Sequence, residues 1–278
     1  MDIKTLAAIV YSEQDAPRTL RSALLLAGKA SAHLVGIHGE YAPVPSVGPL
    51  GTPDPGFIKA EIDIAQEQSA RLKVLFEEAV GREAASAEWR RVPGYAPSGD
   101  SVVQIARACD LVMVQQRDPD DATPRSPGIE TLLFECGRPV LIIPYAVNAD
   151  MAFRRILVAW NGTHEAARAT FDALPFIRDA DSTEILCIDP RDRDEDDHAV
   201  SGADIAEALA RHGASVTLSG RRSDGVPAGE AIENALAESR ADLLVMGAFS
   251  QPWLKQFLFG GATRTLLASM PTATLMSR

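Results

Sequence analysis

Cysteine is scarce. The three residues, Cys109, Cys136 and Cys187, are odd in number, widely spaced and set among apolar neighbours. That suits reduced thiols in a cytoplasm better than a disulfide framework. Long apolar runs are missing too: none approaches the ~20 residues that span a bilayer. Basic residues are outnumbered, 27 Lys and Arg against 38 Asp and Glu, for a formal charge of −11 and a pI near 5.0. Nucleic acid and anionic membrane surfaces are therefore not expected as partners. The opening Met1-Asp-Ile-Lys-Thr-Leu has no basic stretch ahead of an apolar core, so no secretory leader is expected. The five histidines are scattered without His-x3-His or Cys-x2-Cys spacing, which argues against zinc. Neither a Gly-x-Ser-x-Gly elbow nor a Gly-x4-Gly-Lys-Ser/Thr loop occurs. His164 and Glu165 are neighbours in sequence, but adjacent helical residues point in different directions, so the pair reads as a first helical turn.

What the chain does have is apolar mass and repetition. Its 278 residues, 46% of them hydrophobic, are enough for two ordinary domains with real cores. Residues 6–18 lead into Ala23-Leu24, and residues 156–168 lead into Ala173-Leu174. Laid over each other without a gap, Asp15/Glu165, Ala16/Ala166, Arg18/Arg168, Ala23/Ala173 and Leu24/Leu174 coincide. A second match, around Asp110-Leu-Val-Met and Asp242-Leu-Leu-Val-Met, falls in the same order within each half. One unit written twice is the economical reading.

Within each half, short apolar runs alternate with segments of helical period. Strands are predicted at 6–11, 33–38, 86–92, 111–114 and 140–144, and again at 155–160, 184–188, 215–219, 243–246 and 272–276. Helices are predicted at 16–30, 57–81, 102–109 and 129–136, with others between the strands of the second half. That alternation predicts parallel strands with helices on both faces, and continuous runs such as Leu141-Ile-Ile suit a doubly covered sheet. The halves join near 146–152. The Pro- and Gly-rich stretch 43–56 and the acidic run 189–198 read as surface loops.

The most informative segment is 241–263. An apolar run ends at Gly247, a polar loop follows, and Gly260-Gly261 opens a segment of helical spacing. A strand stopping at glycine and a helix starting at glycine bring backbone N–H groups up to a phosphate, with no Cβ to hold the anion away. The same spacing also serves a plain tight turn and helix start.

This pattern resembles the universal stress protein family, whose nucleotide-binding members carry Gly-x2-Gly-x9-Gly-Ser/Thr after the fourth strand. Gly247 and Gly260 match the first and third glycines. Ser250 stands at the second, and Gly261 where the hydroxyl residue belongs. The resemblance implies two Rossmann-like (adenine nucleotide alpha hydrolase-like) α/β domains, at 1–146 and 153–278. Each would hold a five-stranded parallel sheet, and the two would be pseudo-twofold related through 140–144 and 272–276. It implies a cytoplasmic stress-response protein that senses or binds a ligand, with little or no turnover. Slow ATP hydrolysis and a nucleotide-free interaction scaffold are the rival readings. An intramolecular pseudo-dimer is implied, and a homodimer is left open.

Carried over residue by residue, the expected ligand is ATP or another adenine nucleotide in the C-terminal half. Its site would be formed by Asn161, Gly162, Thr163, Ile188, Gly247, Ser250, Gly260, Gly261, Ala262 and Thr263. The family shows aspartate at the Asn161 position, facing the base side, and contacts adenine through backbone near Ile188. Asn161-Gly162-Thr163 equally suits a turn and helix cap. Thr263 is placed to supply the hydroxyl that Gly261 lacks. In the first half Gln115 replaces Gly247, Pro127 replaces Gly261, and the loop brings Asp118, Asp120 and Asp121 where phosphates would sit. That half is not expected to bind ATP in the family's manner.

Overall fold

The computed structural model describes residues 2–41, 55–83, 85–93, 98–146, 151–189, 202–248 and 270–278. Its contacts divide the chain into two compact units, Ile3–Arg138 and Pro139–Arg278 with Met1–Asp2.

The first unit runs β1 (Thr5–Ile9), α1 (Ala16–Ala30), β2 (His33–Gly39), α2 (Pro55–Glu83), β3 (Ala87–Val92), α3 (Ser98–Ala106), β4 (Leu111–Gln115) and α4 (Ile129–Glu135). Its strands lie in the order β3-β2-β1-β4, all parallel. β4 is buried at every position, as a strand covered on both faces must be, whereas β3 at the edge is buried only at Val92. The β3 edge carries Glu88, Arg90 and Arg91, charges that discourage further strand pairing. α1 buries Ala16, Leu20, Ala23, Leu24 and Ala27, a stripe of helical period. α2 buries Ala65, Ser69, Leu72 and Phe76, and Phe76 meets Trp89 of β3 with ring centroids 5.2 Å apart. α2 starts at Pro55, inside the stretch read as loop, because proline suits a first helical turn.

The second unit opens with β5 (Val140–Ile143) and continues β6 (Arg155–Trp160), α5 (His164–Asp172), α6 (Leu174–Asp179), β7 (Ser182–Ile188), α7 (Gly202–Arg211), β8 (Val216–Arg221), α8 (Ala228–Ser239), β9 (Leu243–Gly247) and β10 (Ala273–Ser277). The order is β5-β10-β9-β6-β7-β8. All neighbours are parallel except β5 and β10, which run antiparallel with Leu141 opposite Leu275. The expected pairing of the two final strands is thus present, and β5 packs within the second unit.

The two matched motifs of the sequence make the same contacts in each half. Asp110 accepts hydrogen bonds from the N–H groups of Lys4 and Thr5 at the start of β1, at 2.8 and 2.9 Å. Asp242 accepts from Arg154 and Arg155 at the start of β6, at 3.0 and 2.9 Å. A carboxylate before the fourth strand therefore fixes the register of the first strand, which no apolar residue could do.

Candidate functional site

In each unit the winding reverses beside the first strand. β6 leads to β7 and β8 on one side and has β9 on the other, and β1 stands likewise between β2 and β4. The crevices at the carboxyl ends of β6/β9 and of β1/β4 are therefore where an open α/β sheet takes a ligand.

At the β6/β9 crevice, Asn161, Gly162 and Thr163 form the turn into α5. Gly162 has φ of 73°. Thr163 caps the helix: its Oγ1 accepts from Ala166 N at 3.3 Å and donates to Asn161 Oδ1 at 2.7 Å. Asn161 Oδ1 also accepts from Thr163 N at 3.2 Å. The amide oxygen is thus turned back into its own loop, and the cap reading of these residues describes their bonds.

Gly247 ends β9 against the first turn of α5. A Cβ there would lie 2.5 Å from Ala166 N and 2.7 Å from the Glu165 carbonyl carbon. Backbone stands on that side and cannot swing away, so glycine is required for close helix–strand packing. Ile188, half-buried, ends β7 on the other side of β6. Asp189 beyond it has φ of 48° and accepts from Ser223 N at 2.8 Å. Hydrogen bonding from Ser223 holds its carboxyl below the ordinary range. The structure thus brings Asn161–Thr163, Ile188 and Gly247 to one end of three adjacent strands. Ser250, Gly260, Gly261, Ala262 and Thr263 lie outside the described residues.

One side chain at this crevice was missed. Glu165 is buried, with Oε1 2.8 Å from Nε2 of the exposed His164 and Oε2 without a hydrogen-bond partner. Neighbouring helical residues ordinarily diverge, but here the His164 ring reaches the Glu165 carboxylate across the first turn. The available signal was the Asp15/Glu165 column, which places a carboxylate at the same point of both halves.

The β1/β4 crevice is filled by the chain itself. α1 begins with a capping box in which Ser12 Oγ accepts from Asp15 N at 3.2 Å and Asp15 Oδ1 accepts from Ser12 N at 2.9 Å. Ser12 aligns with Gly162, so the cap is displaced by one residue relative to Thr163. The loop after β4 closes over the strand ends. Ser12 Oγ donates to Asp121 Oδ2 at 3.0 Å, Tyr11 Oη to the Pro127 carbonyl at 2.7 Å, and Arg125 Nη1 to the Gln115 carbonyl at 2.7 Å. Gly39, the last residue of β2, lies so near this loop that a Cβ would sit 2.7 Å from the Ser126 carbonyl oxygen. Burial pushes Asp15 up to about 6, against the Ser12 hydrogen bond and the Arg125 charge. Burial also raises Asp121, but bonds from Thr123 and Ser12 and the Arg125 charge outweigh it and hold that carboxyl low.

The three cysteines are free and buried, and burial raises each thiol, Cys109 to about 11, which keeps them protonated and unreactive. Among the described residues no cluster of His, Cys, Asp or Glu has the makings of a metal site, and no helix is long and apolar enough to cross a membrane.

The model of the universal stress protein family matches residues 152–278. No curated protein matches the sequence. Among solved structures, a universal stress protein from Archaeoglobus fulgidus is 15% identical over 99% of this chain and 96% of its own, with a TM-score of 0.67. A Pseudomonas aeruginosa protein described as a universal stress protein is 18% identical over 99% and 93%, with a TM-score of 0.64. At such identities the likeness is one of fold. It is residues 152–278 that resemble the universal stress protein family in sequence.

Proposed function

We propose that residues 153–278 form a domain that binds an adenine nucleotide, ATP or a close relative, as part of a cytoplasmic stress response, and that residues 1–146 form a related domain that does not. The carrying observation is the contrast between the two crevices. Beside β6 the described wall is Gly247, the turn Asn161–Thr163 and the start of α5, and the strand end there carries no Cβ. Beside β1 the equivalent space holds Asp15, Asp121, Gln115 and Arg125. The site would be completed by Ser250, Gly260, Gly261, Ala262 and Thr263, with Ile188 offering backbone to the base. We read the domain as a sensor without substantial turnover.

A second reading, slow ATP hydrolysis, draws on the buried Glu165 carboxylate and its contact with His164. Phosphate release that is lost in Glu165→Gln while ATP still binds would favour it over the sensor.

Calorimetric titration of the full chain with ATP, ADP and AMP tests the main reading. One nucleotide per chain is expected, lost on replacing Gly260 by tryptophan. Ser250→Gly combined with Gly261→Ser restores the family pattern. It should tighten ATP by roughly tenfold to a hundredfold, the equivalent of one hydrogen bond to a charged oxygen, and leave AMP nearly unchanged. Absence of heat with all three nucleotides, from folded protein, would instead support the scaffold reading.

A further inference from the structure

The crevice between β1 and β4 is lined for a cation, the opposite of a phosphate site. Its buried acceptors are Asp15 Oδ2, Asp121 Oδ2 and the side-chain and backbone oxygens of Gln115, and its wall is the Tyr11 ring. Arg125 lies inside, its side chain only 6% exposed and its guanidinium carbon 4.8 Å from the Tyr11 centroid. The fit is incomplete. Only Nη1 makes a short hydrogen bond. Nη2 stands 3.8 Å from both Asp15 Oδ2 and Asp121 Oδ2, and Nε and Nη2 have no hydrogen-bond partner. Asp15 Oδ2 and Gln115 Oε1, both buried, also have none. Charge-assisted bonds to carboxylates ordinarily close to about 2.7–2.9 Å. Two carboxylates face one guanidinium here, and Arg117 Nη2 reaches the Asp121 carbonyl at 3.5 Å.

We propose that this crevice is a guanidinium site, and that Arg125 is its tethered occupant, held short of full contact by the loop that carries it. The site would take a planar monocation of the alkylguanidinium class. Two carboxylates supply charge, the Gln115 oxygens supply in-plane acceptors, and the Tyr11 face supplies cation–π stacking. The proposal is independent of nucleotide binding in the second domain.

Chemical rescue of the full-length protein tests it. Arg125→Ala empties the site, and Arg125→Met fills the space without the charge. Thermal melting is followed in millimolar guanidinium chloride, with sodium chloride and urea at equal concentrations as controls. Arg125→Ala should melt roughly 5–15 °C below the wild type, the consequence of leaving buried carboxylates unpaired. Guanidinium should restore part of that loss saturably, with half-saturation on the order of millimolar. The wild type and Arg125→Met should not respond, and adding Asp121→Asn to Arg125→Ala should abolish the recovery. If Arg125→Ala is unfolded in sodium chloride, return of its helical circular dichroism in guanidinium alone supports the site. Guanidinium acting on Arg125→Ala no better than sodium, or equally on Arg125→Met, overturns it, as does recovery that survives Asp121→Asn.

Discussion

The crevices beside β1 and β6 start from the same plan and differ at the end of the fourth strand. Both lie at a reversal of strand order, both have a carboxylate at the start of the following helix, and both strands are registered by an aspartate before the fourth strand. In the second unit that fourth strand ends in Gly247, which lets α5 press its backbone directly on the strand end. In the first it ends in Gln115, and the loop beyond folds Asp121 and Arg125 inward. Glycine at one strand end thus admits helix backbone, while glutamine at the other receives an arginine of its own loop on its carbonyl. The register contacts recur in both halves while the strand ends differ, because register is required for folding in each half.

The comparison breaks most sharply at Gly247. Gly247→Ala should cost the second unit at least ~3 kcal/mol, since the new methyl meets fixed backbone. Gln115→Ala should cost the first unit ~1 kcal/mol or less, because it also removes a buried oxygen without a partner. Urea denaturation midpoints measure both, and equal losses would remove the distinction between the two strand ends.

Next in size is the pH response of Asp15. Its pKa is raised from 3.8 to about 6 in the folded protein, so between those values the native state holds a proton that the unfolded chain has released. Stability from this group is therefore present below the unfolded pKa and falls as pH rises through the window, by about 2–3 kcal/mol in total. Two other buried groups act with the opposite sign. Burial lowers His38, so its neutral form loses stability as pH falls below its ordinary value, and Asp121, held low, loses stability only below the window. The difference in unfolding free energy between wild type and Asp15→Asn, taken from pH 4 to 7, cancels their contributions. A difference that does not change with pH would contradict the assignment.

A smaller contrast concerns the displaced caps. Thr163→Ala removes the side chain that accepts from Ala166 N and should cost about 1 kcal/mol. Glu13→Ala, at the aligned position, removes an exposed pair with Arg71 and should change the melting temperature hardly at all. Comparable losses at the two positions would show that the one-residue shift of the cap has no energetic consequence.

Much of the fold was legible because its signals are local. α1 begins and ends where the helical stripe of small and apolar residues does, β6 spans the predicted 155–160, and the other strands shift by a residue or two at their ends. The site was legible only in part. Asn161–Thr163 could be read as a cap or as a ligand contact, and their hydrogen bonds describe a cap. Glu165 carries no mark of its burial in sequence, because a lone carboxylate in a first helical turn is ordinary on a surface. Its burial comes from β9 closing over it, a contact between residues some eighty positions apart. Arg125 gave no signal at all, since an arginine in an acidic, Pro-containing loop reads as solvated.

By itself the sequence determined the alternation of strand and helix, the matching segments of the two halves and a glycine at the end of the strand at 243–247, all of which depend on periodicity or on residues near one another in the chain. Tertiary structure alone decided that Gly247 serves helix packing, that the β1/β4 crevice is closed by its own loop, and that Asp15, Asp121 and Arg125 share one buried space. The physical reason is that burial and ion pairing depend on which distant segments meet. A carboxylate and a guanidinium over a hundred residues apart carry no mark in sequence of the buried space they come to share.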